Sequence, residues 1–137
     1  MKEKDLIRAV KAKVSSAVYH HSNTMASLTT NGIPDVYYHN GNDLWVEYKM
    51  LRAMPRSKIA KGDYSELQLR WMERRYNNSK HLPHGANVIG VVGLPNRTAV
   101  IQRTPTEWRE GTATHLAIPF SEVALWVQHF GSPSSGP

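Results

Sequence analysis

Between Asn31 and Lys49 the chain places two acids and a lysine close together: Asp35, Glu47 and Lys49. Carboxylates supply the hard oxygen ligands that suit Mg²⁺ or Mn²⁺. An ammonium beside them can stabilise charge that develops on a phosphate during attack. The chemistry these three groups would do together is metal-assisted hydrolysis of a phosphodiester, provided that local structure aims them at one point.

The elements that must do the aiming are two short strands and a turn. Ile33 to Tyr38 and Leu44 to Met50 are rich in β-branched and aromatic residues, and the polar run His39 to Asp43 contains Asn40-Gly41, which tolerates positive φ. In the second strand Trp45, Glu47 and Lys49 share one face, with Leu44, Val46 and Tyr48 on the other. Register then decides the case for Asp35. A two-residue loop pairs 35 with 46 and sends Asp35 to the wrong face. A three-residue loop, Asn40 to Asn42, pairs 39 with 43 and so 35 with 47, with Asn42 as a permissible left-handed residue. We expect the odd loop, or a bulge of equal effect. Two acids this close repel unless a cation lies between them.

The pattern Pro34-Asp35, an eleven-residue gap and then Glu47-Tyr48-Lys49 resembles the signature of the PD-(D/E)xK nuclease superfamily. The Gly32-to-Asp35 lead-in, the strand Leu44 to Lys49 and a later Gln68 followed by Trp71 are similar to its virus-type replication-repair (VRR-NUC) branch. The likeness runs from about Asn31 to Gly93. It implies an α/β fold with a restriction-endonuclease-like mixed sheet flanked by helices, catalytic roles for Asp35, Glu47, Lys49 and Gln68, and a metal held by Asp35, Glu47 and the Tyr48 backbone carbonyl. Members of the superfamily often bring a first-helix acid to the metal, which makes Glu3 a further ligand candidate. An ordinary first-turn acid complementing the helix dipole is the other reading of Glu3.

Charge supports a polyanion partner. Nine Lys or Arg against three acids lie between Lys49 and Lys80, and the remainder of the chain carries eight of each sign, so the whole net charge of +6 follows the acid-bearing strand. Tyr64, Trp71 and Tyr76 are interleaved with it, the footprint of a nucleic-acid-binding face. Arg56, Lys58, Lys61, Arg70, Arg74 and Arg75 are the candidate DNA contacts. The absence of cysteine excludes disulfides and thiolate metal sites. No stretch behind the N-terminus is apolar enough for a signal peptide or a membrane span, so a cytoplasmic protein is expected, of a kind that a phage could encode in a bacterial host.

Along the chain, Lys2 to about His20 reads as an amphipathic helix with Leu6, Ile7, Val10, Val14, Ala17 and Val18 on one stripe. His20-His21 would close it. Met25 to Thr30 is a candidate strand, and Met50 to Gly62 a loop or flap. Ser65 to Asn78 is a second helix whose Ser65 and Gln68 fit a capping box, the structural alternative to a site role for Gln68. His81 and His84, with Pro83 between them, suit turn chemistry better than metal binding. Asn87 to Val92 reads as a buried strand, Thr98 to Arg103 as another, Thr106 to Arg109 as a helical turn, and Ser121 to Phe130 as a helix capped by Ser121. Residues 1–130 are expected to form a single nuclease domain and 131–137 a flexible tail.

With no base-reading module apparent, affinity would rest on backbone phosphates, and recognition on DNA shape. The resembled branch includes junction-cleaving dimers, so a Holliday junction resolvase-like homodimer acting on branched DNA is the leading expectation. The resemblance also implies a 5′-phosphate product. A non-catalytic DNA-binding module of the same fold is the alternative, and an RNA-directed nuclease a third reading.

Overall fold

The computed structural model describes residues 1–15, 18–22 and 32–130. Its element order is α1 (Glu3–Lys11), β1 (Tyr19–Ser22), β2 (Val36–His39), β3 (Asp43–Met50), β4 (Ile59–Ala60), α2 (Glu66–Ser79), β5 (Val88–Gly93), β6 (Thr98–Gln102), α3 (Pro105–Glu110), β7 (Thr112–Ala113), a 3₁₀ turn (Thr114–Leu116), β8 (Ile118–Pro119) and α4 (Phe120–Gln128). Six strands form one sheet in the order β1-β2-β3-β5-β6-β8, and β4 pairs with β7 apart from it. Only β3 and β5 run parallel; the other pairs are antiparallel, so the sheet is mixed. A parallel neighbour needs a crossover, and α2 supplies it between β3 and β5.

Each face of the sheet has its own apolar layer. Leu6, Ile7 and Val10 of α1 and Val123, Ala124 and Val127 of α4 pack on Val36, Tyr38, Leu44, Val46 and Tyr48. On the other face Leu69 and Met72 of α2 and Trp108 of α3 pack on Val88, Val92 and Val100. All six residues of β5 are buried, in keeping with a central strand covered on both sides. The expected mixed α/β sheet flanked by helices is what the chain forms.

Three expectations are corrected. The first helix stops at Lys11, and His20 and His21 lie on β1 rather than at a helix end. Val14 and Val18 still join the core at the spacing that suggested helix, but from non-helical backbone. A Val- and Ser-rich run is a weak helix former, and pairing of Tyr19–Ser22 with Val36–His39 satisfies its polar groups in the sheet instead. Ser121 does not cap the last helix, which begins one residue earlier after Pro119, with no side-chain cap bond. The Met50 to Gly62 segment is not wholly loop, since Ile59 and Ala60 pair with Ala113 and Thr112. The candidate strand Met25 to Thr30 and the tail 131–137 lie outside the described residues.

Gly32 fixes the approach to Asp35. Its φ is +94°, and a Cβ there would collide with the Leu67 carbonyl and lie 2.8 Å from the Gln68 amide nitrogen. The backbone leading to Asp35 therefore lies directly against the first turn of α2. Gly32→Ala is expected to cost about 2 kcal/mol or more, from the left-handed φ and the forced retreat of α2. Urea unfolding would measure it, and an unchanged midpoint would contradict the contact.

Candidate active site

The hairpin between β2 and β3 adopts the odd register: His39 pairs with Asp43, Tyr38 with Leu44, Tyr37 with Trp45 and Val36 with Val46. Continuing it by one residue sets Asp35 opposite Glu47, on the same face. The left-handed turn residue is Gly41, φ +82°, and not Asn42. Because β2 begins at Val36, β3 runs on past Val46 with no strand among the described residues paired along that edge. Asp35 occupies the gap, its Oδ2 accepting from the Tyr48 amide at 3.1 Å. The N–H and C=O of one strand residue point to the same edge, so the Tyr48 carbonyl is directed to the side where Asp35 lies.

Glu3, at the start of α1, completes the group. One carboxylate oxygen from each of Glu3, Asp35 and Glu47 lies within 4.8 Å of the others, the one such potential metal-binding cluster among the described residues. Glu47 is 1% exposed. Burial pushes its pKa from the usual 4.5 up to about 9, Asp35 adds to the shift, and Lys49 opposes it. Burial likewise raises Asp35, against the pull of the Tyr48 amide, Glu47 and Lys49. Glu3 is raised by burial too, with Lys49 opposing and Asp35 and Asp63 adding. All three acids are thus held above their ordinary range.

Gln68 closes the capping box and also reaches Glu47. Its backbone amide donates to Ser65 Oγ at 3.1 Å while its Oε1 accepts from the Ser65 amide at 2.9 Å, closing the capping box. Its Nε2 donates to Glu47 Oε2 at 2.8 Å. Lys49 Nζ lies 3.5 Å from the same oxygen. The other oxygen, Oε1, is buried and has no hydrogen-bond partner among the described residues. A buried carboxyl with one oxygen bonded by Gln68 beside Lys49, and the other without a partner, is costly as it stands and is well placed to ligate a cation.

The two roles of Gln68 separate by mutation. Ser65→Ala is expected to cost about 1 kcal/mol of stability through the lost cap while leaving any cation-dependent activity near wild type. Gln68→Ala keeps the backbone bond to Ser65 Oγ and loses only the reciprocal half of the capping box, but is expected to lose about tenfold or more in cation affinity or activity, because the hydrogen-bond partner of Glu47 is removed. Equal activity loss in both variants, assayed beside thermal melts, would reduce Gln68 to a cap.

The predicted DNA contacts do not all share one situation. Arg56, Lys58 and Lys61 are exposed on the connection that follows β3. The carbonyl of Lys58 accepts from the Thr114 amide at 2.9 Å, which ties this segment down. Arg70 is exposed, with Nε 3.8 Å from Glu66. Arg74 is exposed, and Arg75 is partly buried with Nε donating to Asn87 Oδ1 at 3.0 Å. His84 contacts the Gly85 carbonyl and the Phe130 ring, consistent with turn chemistry.

Tyr64, expected on the nucleic-acid-binding face, is instead buried in the core beside Lys49. Its ring centroid lies 5.9 Å from Lys49 Nζ, within cation–π range. Its hydroxyl donates to Gln102 Oε1 at 2.6 Å, and Gln102 in turn donates to the Ala60 carbonyl and Thr112 Oγ1. No periodicity signals such a contact; the nearby Gly62 and Gly90 are its trace, since a Cβ on either would strike Tyr64. A hollow lined by Lys2, Glu3, Lys49, Arg52 and Asp63 opens beside the acids and gives them a cationic rim.

No protein-family model matches the chain, and no curated protein matches it. Among solved structures it is similar to Archaeoglobus fulgidus Hjc, a Holliday junction resolvase from an archaeal hyperthermophile, with a TM-score of 0.51 at 19% identity over 89% of this chain and 94% of that one. The likeness extends over nearly the full length of both. The chain therefore has the restriction-endonuclease-like fold of that resolvase.

Proposed function

We propose that the protein is a divalent-cation-dependent endodeoxyribonuclease, with Asp35, Glu47 and Lys49 as its catalytic core. The observation that carries this reading is the convergence of one carboxylate oxygen each from Glu3, Asp35 and Glu47, within 4.8 Å of one another. The donor set fits a hard cation: it consists of carboxylates with no thiolate or imidazole, as Mg²⁺ or Mn²⁺ prefers. Asp35 and Glu47 would hold the ion, with Glu3 and the Tyr48 carbonyl as further ligands. Bound there, such an ion polarises a phosphate oxygen and acidifies a water.

The chain's own residues set up the rest. The Tyr48 amide fixes one Asp35 oxygen and Gln68 fixes one Glu47 oxygen, which orients both carboxylates before any ligand arrives. Lys49, steadied over the Tyr64 ring, presents an ammonium for the negative charge that gathers on the phosphate in the transition state. Arg56, Lys58, Lys61, Arg70, Arg74 and Arg75 would contact backbone phosphates.

The substrate in this reading is branched DNA. The fold is shared with a Holliday junction resolvase, and a small catalytic domain whose basic residues meet phosphates would recognise backbone shape. A four-way junction offers two equivalent strands, so symmetric cleavage would use a homodimer. The VRR-NUC-like motif residues support the same class. Among the described residues no helix is long and apolar enough to cross a membrane.

The test is a cleavage panel of single-stranded, duplex, flap and four-way-junction DNA, with matched RNA, in Mg²⁺ or Mn²⁺. Cation-dependent cleavage that Asp35→Ala abolishes is expected, strongest on a branched form. DNA binding without cleavage of any form would instead favour a non-catalytic binding module.

A further inference from the structure

We propose that α2 and the start of β3 carry a subsite for an unpaired nucleotide next to the catalytic acids, with Trp71 as the stacking surface and Arg74 as its phosphate contact. This rests on the nuclease reading and narrows its substrate to branched DNA with unpaired nucleotides near the scissile phosphate. Tyr37, Trp45 and Trp71 form a continuous aromatic run, with ring centroids 4.8 Å apart between Tyr37 and Trp45 and 5.2 Å between Trp45 and Trp71. All three are partly exposed.

The position of the run is set by the same elements that build the site. Trp45 lies two residues before Glu47 on the same face of β3, roughly 7 Å along the strand. Trp71 follows Gln68 by three residues, about 4.5 Å along the axis of α2. The aromatic run therefore begins where the carboxylates end. Beyond it, Trp71, Arg74, Arg75 and Asn78 line one hollow. Their spacing of three, four and seven residues places them on one stripe of the helix.

That combination has a chemical meaning. An aromatic face beside guanidinium groups and an amide matches a base and its phosphates, and every base offers a π-face whatever its sequence. The Trp45 indole N–H is buried without a hydrogen-bond partner among the described residues. Positive charge beside the aromatics complements the polyanion that the acids would cut.

Fluorescence anisotropy in EDTA, where cation-dependent cleavage is off, tests the subsite. The probes are a blunt duplex and the same duplex bearing a single-stranded arm. Wild type is expected to bind the armed probe more tightly. Trp71→Ala should weaken that binding roughly tenfold or more and leave the blunt duplex unchanged, while Trp71→Phe keeps most of it. Arg74→Ala should lower the salt dependence of armed-probe binding by about one phosphate contact. Should Trp71→Ala unfold, Trp71→Leu keeps the apolar bulk and permits the same comparison.

Equal weakening of both probes, or of neither, overturns the subsite. If Trp71 proves neutral while junction DNA is still cleaved, the subsite alone fails. If the armed probe depends on Trp71 but no DNA is cut with Mg²⁺ or Mn²⁺, the nuclease reading fails and the binding site stands. Failure to bind either probe overturns both.

Discussion

Glu47→Gln is expected to abolish cation-dependent cleavage, by about a thousandfold or more, and at the same time to make the cation-free protein more stable at alkaline pH. The two effects have one cause. Glu47 is buried with a pKa of about 9 against a usual 4.5, so between those values the folded, cation-free protein holds a proton that the unfolded chain releases. Stability therefore falls as pH rises through that window, by at most about 1.4 kcal/mol per pH unit from this group. Asp35 and Glu3 are raised in the same direction. A glutamine cannot ionise, so the variant should lack the Glu47 part of the decline. Thermal melts of both proteins in EDTA at pH 5.5 and 8.5 would show a gap in favour of the variant that widens with pH. A constant gap would mean that Glu47 ionises freely in the fold.

Lys49→Met is expected to lower cleavage by about a hundredfold to a thousandfold at saturating cation while leaving DNA affinity within a few-fold of wild type. Methionine preserves the apolar stem that packs near Gly62 and Tyr64 and removes only the ammonium. Lys49 opposes the upward shift of Glu47, so its loss should also move the onset of cation binding to higher pH. Comparison at saturation separates that effect from transition-state stabilisation. Cleavage by the variant at the wild-type rate would contradict a charge-stabilising role.

Much of the geometry around Asp35, Glu47 and Lys49 is legible in the sequence, because strand geometry is restrictive. A period of two fixed Trp45, Glu47 and Lys49 on one face, and loop length alone decided between pairing Asp35 with 46 or with 47. Gln68 is marked twice over, as a cap from Ser65 and as a site residue from the motif, and its polar groups meet both Ser65 and Glu47. The boundary of α1 was not legible. Val14 and Val18 reach the core at helical spacing from a turn and from the entry to β1, and an apolar stripe records burial rather than backbone. The β4 and β7 pair and the Lys49, Tyr64 and Gln102 chain depend on residues far apart in sequence, whose meeting only the fold determines.

The functional claim depends on a cation between Asp35 and Glu47, and calorimetric titration with Mn²⁺ at pH 7 measures it most directly. One site is expected, with proton release as Glu47 ionises, detected as a dependence of the heat on buffer ionisation enthalpy; both Asp35→Ala and Glu47→Gln should lose it. Absence of Mn²⁺ binding, or binding undiminished in Glu47→Gln, would contradict it.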